Sequence, residues 1–154
     1  MLHAGTNDIR RGQTIASTKR DLKKVIAQLR LANPGMVILI AQIIPVEGID
    51  VKVRRLNSAI SALAAETDTA TSPVIVVDQY TGFDVATDLY DGLHPTESGY
   101  IKMADRWFSA LNAVLDGSSP TTVTVTEPTN GSTFSTGADV VVRASVSGSA
   151  PIAT

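Results

Sequence analysis

The sequence contains no cysteine, so disulfides, thiolate nucleophiles and cysteine-ligated metals are excluded. It has little net charge, -2 with 13 basic and 15 acidic residues. There is therefore no basic stripe for nucleic acid and no acidic tail for a polycation. It has only two histidines, His3 and His94, and no matching carboxylate cluster, which argues against a zinc site. It also lacks a long apolar run. The longest, Met36 to Ala41 continuing through Ile43 and Ile44, is far short of the roughly 20 residues a membrane span needs. No secretory signal opens it. No glycine-rich stretch carries the lysine and following helix of a phosphate loop.

What remains is an ordinary globular composition, 44% hydrophobic and 18% charged over 154 residues. That suffices for one modest core, or one domain with an appendage. Residues 17–32 place Leu22, Val25, Ile26 and Leu29 at amphipathic-helix spacing. Thr18 and Asp21 resemble a capping box, and "NPG" at Asn33–Gly35 stops the helix. "MVILIA" reads as a strand buried on both faces. A second helix is expected over 51–66, with Val53, Leu56, Ile60 and Leu63 on one side. A second buried strand is expected at "SPVIVVD", Ser72–Asp78, and a third helix over 97–115 with Tyr100, Met103, Ala104, Trp107 and Leu111 on one face. Strands alternating with helices imply βαβ units and a parallel sheet. Ligands gather at the carboxyl ends of such strands. Three segments fall there: Gly5–Asp8, Gln42–Glu47 and the loop from Asp78 to His94.

Met1 leads directly into "LHAGTND", which reads as the end of a strand, so the chain is expected to start inside an element. Past Leu115 the composition shifts. "DGSSPT", residues 116–121, reads as a linker. "TVTVT" and "DVVVRASVS" then alternate with the two-residue period of strands, as the start of an unclosed β-sandwich over 122–154.

Two motifs carry possible chemistry. In "DGLHPTESGY" an Asp91 carboxylate three residues before His94 can fold onto Nδ1, leaving Nε2 as proton acceptor. Equally, Asp91-Gly92 can be a turn and His94 a loop residue before a Thr96-capped helix. In "GTND" the Asn7 amide can donate to an oxyanion, or the motif can be an Asx turn, with Asp8 capping the next turn of chain. Both motifs fall at the same sheet edge. An amide donor and an Asp-oriented His are two of the three parts of an acyl-transfer site. Tyr80 and Phe83 are candidates to line a crevice there, whereas Tyr100, Trp107 and Phe108 are read as packing aromatics.

"HAGTNDI" and "DGLHPTESGY" resemble the third and fifth blocks of the SGNH (GDSL-type) hydrolases. The span "VVDQYTGFD...DLYDGLHPTESGYIKMADRWFSAL" is similar to the acetylxylan-esterase branch, carbohydrate esterase family 3. The resemblance covers about residues 2–115. It implies a flavodoxin-like three-layer α/β/α fold and serine ester hydrolysis without cofactor or metal. It assigns His94 as general base and Asp91 as its orienting acid. Asn7 becomes the oxyanion donor, in a loop whose tight geometry Gly5 provides. The family's nucleophile is a serine in a Gly-Asp-Ser block, and no such block occurs in this sequence. Ser17, Ser58, Ser61, Ser98 and Ser109 fall at or inside expected helices, so the nucleophile is not assigned.

The expected substrate is an acetylated polysaccharide such as xylan, acted on outside the cell, with an immunoglobulin-like module at 122–154. A lysophospholipase or arylesterase is the alternative within the family. A non-catalytic fragment, or a module binding carbohydrate or a surface, is the alternative outside it.

Overall fold

The computed structural model describes residues 1–116, 122–129 and 131–147. The expected linker therefore lies almost wholly outside the described residues, as does the end of the expected sandwich. The chain divides into two units, Met1–Leu111 and Asn112–Thr154.

The first unit is α/β. Its chain order is α1 (Thr6–Arg10), α2 (Ile15–Ala32), β1 (Ile38–Gln42), α3 (Asp50–Thr67), β2 (Val74–Asp78), α4 (Val85–Asp88) and α5 (Glu97–Asp116), which runs across the unit boundary. β1 and β2 pair in parallel, Ile38 opposite Val74 through Gln42 opposite Asp78. Leu2 forms a parallel bridge to Ile40. Its N–H donates to the Leu39 carbonyl and its carbonyl accepts from the Ala41 N–H, both at 2.8 Å. The residues after Leu2 therefore emerge at the carboxyl edge of β1.

The alternation of β1 sends Ile38 and Ile40 to the face covered by α2 and α3. There they pack with Leu22 and Ile26 of α2 and with Val53, Leu56, Ile60 and Leu63 of α3, every one of these α3 residues at most 1% exposed. This is the helix face that the periodicity implies. A second, smaller cluster joins Ile44, Phe83 and Leu89, with Met103 of α5 packed against it.

Several local expectations are corrected. The cap of α2 is Thr14, whose Oγ1 accepts from the Ser17 N–H at 3.1 Å. Thr18 lies inside the helix, buried, with its hydroxyl donating to the Thr14 carbonyl. The helix starts earlier because Ile15 also packs on the core, which the four-residue stripe did not include. β2 is not buried on both faces, since Ile75 is 38% exposed. On α5, Met103 and Trp107 are half-buried, Met103 against the second cluster, while Tyr100, Ala104 and Leu111 are exposed. Phe83 is buried in the second cluster, not set at a crevice wall. Tyr80 packs against the main core and its hydroxyl donates to Asp50 Oδ1 at 2.7 Å.

In the second unit, β3 (Thr122–Glu127) and β4 (Arg143–Ser147) form a small antiparallel sheet, irregular between Val125 and Glu127. Asp139–Val142, expected to be strand, precede β4 and are exposed. Among the described residues no helix is long and apolar enough to cross a membrane.

Candidate active site

Three segments meet at the carboxyl edge of the sheet. The first turns sharply at Gly5, where φ is +116°. A Cβ there would stand 2.8 Å from Leu56 Cδ2 and 3.3 Å from Thr18 Cγ2. Only glycine tolerates both the left-handed backbone and that approach. α1 starts immediately after it, held by the fully buried Ile9, and α1 has no side-chain cap. Asp8 sits inside its first turn and does not cap it. The Asn7 side chain is exposed and has no hydrogen-bond partner among the described residues, so its amide is free to donate.

The second segment, Gln42–Glu47, is fixed by Asn57 of α3. Asn57 Oδ1 accepts the Ile43 N–H at 2.8 Å and its Nδ2 donates to the Ile43 carbonyl at 2.9 Å. One buried side chain thus satisfies both backbone groups where the strand ends. Further on, the Glu47 N–H donates to the Gly92 carbonyl at 2.8 Å, propping up the third segment.

The third segment is a tightly bonded loop. Asp84 caps α4 through the Ala86 N–H. Asp88, 1% exposed, accepts from the Asp84 N–H at 2.7 Å and from Lys102 Nζ at 2.6 Å. The Asp84 N–H and then Lys102 hold its carboxyl below the usual range. The Asp88 carbonyl accepts the Thr96 N–H at 2.8 Å, and Thr96 Oγ1 accepts from the Gly99 N–H, capping α5. The loop between is pinned at both ends.

Inside it, Asp91 does two jobs. Its Oδ1 accepts from the Leu93 N–H at 3.1 Å and the His94 N–H at 2.7 Å. Its Oδ2 lies 2.7 Å from His94 Nδ1. The turn and the Asp–His contact, which the sequence offers as alternatives, are one arrangement. The His94 N–H and the His94 ring together lower the Asp91 pKa to about 2. A carboxylate only accepts, so Nδ1 carries a proton, and in the neutral ring Nε2 then presents a lone pair. The Tyr90 ring stacks on His94, centroids 5.7 Å apart and 21° from parallel.

A cavity of about 280 Å³ joins these segments. Its polar wall is His3, Thr6, Asn7 and His94; its apolar wall is Ile44, Leu93, Pro95, Tyr100 and Met103. Asn7 and His94, 87 positions apart, thus share one crevice. Desolvation lowers the His3 pKa, which favours the neutral imidazole. Ser98, the serine nearest His94 in sequence, instead bonds Thr96 Oγ1, the Thr87 carbonyl and Asp88 Oδ1. Among the described residues no three His, Asp or Glu side chains gather to hold a metal ion. Sequence reasoning did not place His3 at this cavity. Its position one step past Leu2, where the strand leaves the sheet, was the available signal. It also missed the Tyr90 stacking, for which spacing gives no signal.

The GDSL-like lipase/acylhydrolase family model matches residues 1–101. A multidomain esterase of Ruminococcus flavefaciens is 30% identical over 139 residues, 85% of this chain and 18% of that protein. A carbohydrate esterase family 3 structure from Talaromyces cellulolyticus is similar with TM-score 0.70 and 27% identity, over 75% of this chain and 57% of that one. The Clostridium thermocellum family 3 carbohydrate esterase gives TM-score 0.63 and 26% identity, over 75% and 56%. The chain thus spans little more than half of these solved relatives and under a fifth of the curated one. The match over residues 1–101 takes in Asn7, Asp91 and His94 together, and this chain belongs to the GDSL-like lipase/acylhydrolase family.

Proposed function

We propose that this chain carries the base, the orienting acid and one oxyanion donor of a serine ester hydrolase, with His94, Asp91 and Asn7 in those roles. The single observation that supports the reading is the shared cavity: Asn7 and His94 line it together while Asp91 Oδ2 holds His94 Nδ1 at 2.7 Å. In the reaction, Nε2 takes the proton of the attacking hydroxyl, and the Asp91 carboxylate stabilises the imidazolium that results. The ester carbonyl oxygen becomes an oxyanion, to which the Asn7 amide donates. Gly5 keeps that amide in place by setting the turn before it. The proton then passes from Nε2 to the leaving alcohol.

None of the serines in the 154 residues stands in a Gly-Asp-Ser block. The nucleophilic serine of this reading therefore lies outside them, and the chain alone is left with water attack assisted by His94. That is a much slower route, since losing any member of the triad removes most of the rate.

The relatives named as carbohydrate esterases, together with the modest size of the cavity, favour a short acyl group on a polysaccharide such as xylan over a long lipid chain. A polymeric substrate of that kind implies action outside the cell. We further take the first unit as part of a flavodoxin-like three-layer sheet. The β3–β4 pair is read as the opening of an immunoglobulin-like sandwich, supported by its antiparallel pairing and Thr/Val alternation.

The test is hydrolysis of p-nitrophenyl acetate by the 154-residue chain and by His94→Ala. The expected result is a slow linear release without a burst, falling to the buffer rate in His94→Ala. Equal rates in the two proteins contradict the assignment of His94 as base.

A further inference from the structure

Tyr90 is left unused by the base, its acid and the cavity. It is 69% exposed, yet its position is fixed. Its N–H donates to the His94 carbonyl at 3.0 Å. The preceding Leu89 is buried against Ile44 and Phe83 and forms a bridge to Pro95. One face of the ring lies against the imidazole. With so much of the residue exposed, the opposite face is open to water. Such a ring is a rigid, flat, apolar surface with few rotamers left to lose on binding. Beside it stands the Asp91 carboxylate, 40% exposed.

A flat apolar face rimmed by a hydrogen-bond acceptor matches the chemistry of a pyranose ring. The sugar's C–H groups form an apolar face, and its equatorial hydroxyls donate at the edge. An acyl chain would find no groove on a lone ring and has the cavity's apolar wall instead. We propose that Tyr90 is a stacking platform for a sugar unit of the glycan whose ester meets His94. This rests on the esterase reading above. The open face of Tyr90 points away from the imidazole. The stacked sugar is therefore a neighbour, along the glycan, of the unit that bears the ester.

The experiment titrates unsubstituted xylopentaose into the full 154-residue chain, with ring and amide NMR signals as the readout. Saturable shifts at Tyr90 are expected. Tyr90→Ala weakens binding roughly three- to tenfold, as loss of one aromatic stacking contact would, whereas Tyr90→Phe and Tyr90→Trp retain it. The exposure of the ring lets each variant fold, which its amide spectrum verifies. Three results overturn the proposal: no saturable shift at Tyr90, equal affinity in Tyr90→Ala, or an equal loss in Tyr90→Phe. If Tyr90→Ala moves the His94 signals without changing affinity, the ring only positions the base, and the platform is again overturned. Failure of the esterase reading registers separately, as equal p-nitrophenyl acetate rates in the wild-type chain and His94→Ala, because that ester has no sugar to stack.

Discussion

The Asp91 carboxylate grips His94 twice, once at Nδ1 and once at the backbone N–H, both at 2.7 Å. A side chain held at ring and main chain together cannot swing away without breaking the turn. The geometry of the loop and the tautomer of the imidazole are therefore set by one group.

The Asp91 pKa is lowered from 3.8 to about 2. A depressed carboxylate adds stability above its unfolded value, and that contribution fades as pH falls through its folded value. The grip on His94 is thus complete above about pH 4 and is lost as pH approaches 2. Titration of the Asp91 carboxyl carbon by NMR should give a midpoint near 2; a midpoint at the usual carboxylate value would show that the contact does not form in solution.

Asp91→Asn tests the same grip chemically. The amide can present its NH2 to Nδ1 and so favour the wrong tautomer, with the proton on Nε2. The His94-dependent rate of p-nitrophenyl acetate hydrolysis should fall by about 10²-fold or more. An unchanged rate would remove Asp91 from the chemistry and leave it only the turn.

Gly5→Ala should destabilise the first unit by about 1–3 kcal/mol, from the left-handed backbone and the clash with Leu56. Urea unfolding measures it. A loss under about 0.5 kcal/mol, the range of ordinary surface changes, would mean that the turn relaxes freely.

Asn57→Ala should cost about 2–4 kcal/mol, because the Ile43 N–H and carbonyl are both left without their partner in the interior. The neighbouring Ile44, part of the cavity wall, should then show increased amide exchange. Normal stability with normal exchange would show that water replaces the clamp.

Much of this fold is readable from residue patterns because its elements obey a single periodicity. Val53, Leu56, Ile60 and Leu63 recur at helical spacing and all reach the core. The continuous apolar run Ile38–Ala41 forms the central paired strand. The errors arise where burial depends on what lies opposite. Ile75 has the same chemistry as Ile40, yet it faces outward because no described element packs on it. The stripe on α5 has helical spacing, yet only Met103 and Trp107 are half-buried, and Tyr100, Ala104 and Leu111 stay exposed. At the site, D-x-x-H and "GTND" were visible as short motifs. That Asn7 and His94 line one cavity depends on the path of the chain through Leu2, β1 and the Asp88–Thr96 staple. No local spacing encodes that path.

The most decisive measurement is an acetate titration of the 154-residue chain, monitored at the Asn7 side-chain NH2 and at the His94 ring. If the amide and the imidazole serve one reacting carboxyl group, both signals shift together with a single dissociation constant, and Asn7→Ala weakens the response at His94. Shifts at only one of them, or two unrelated constants, would contradict a shared site and with it the esterase assignment of His94, Asp91 and Asn7.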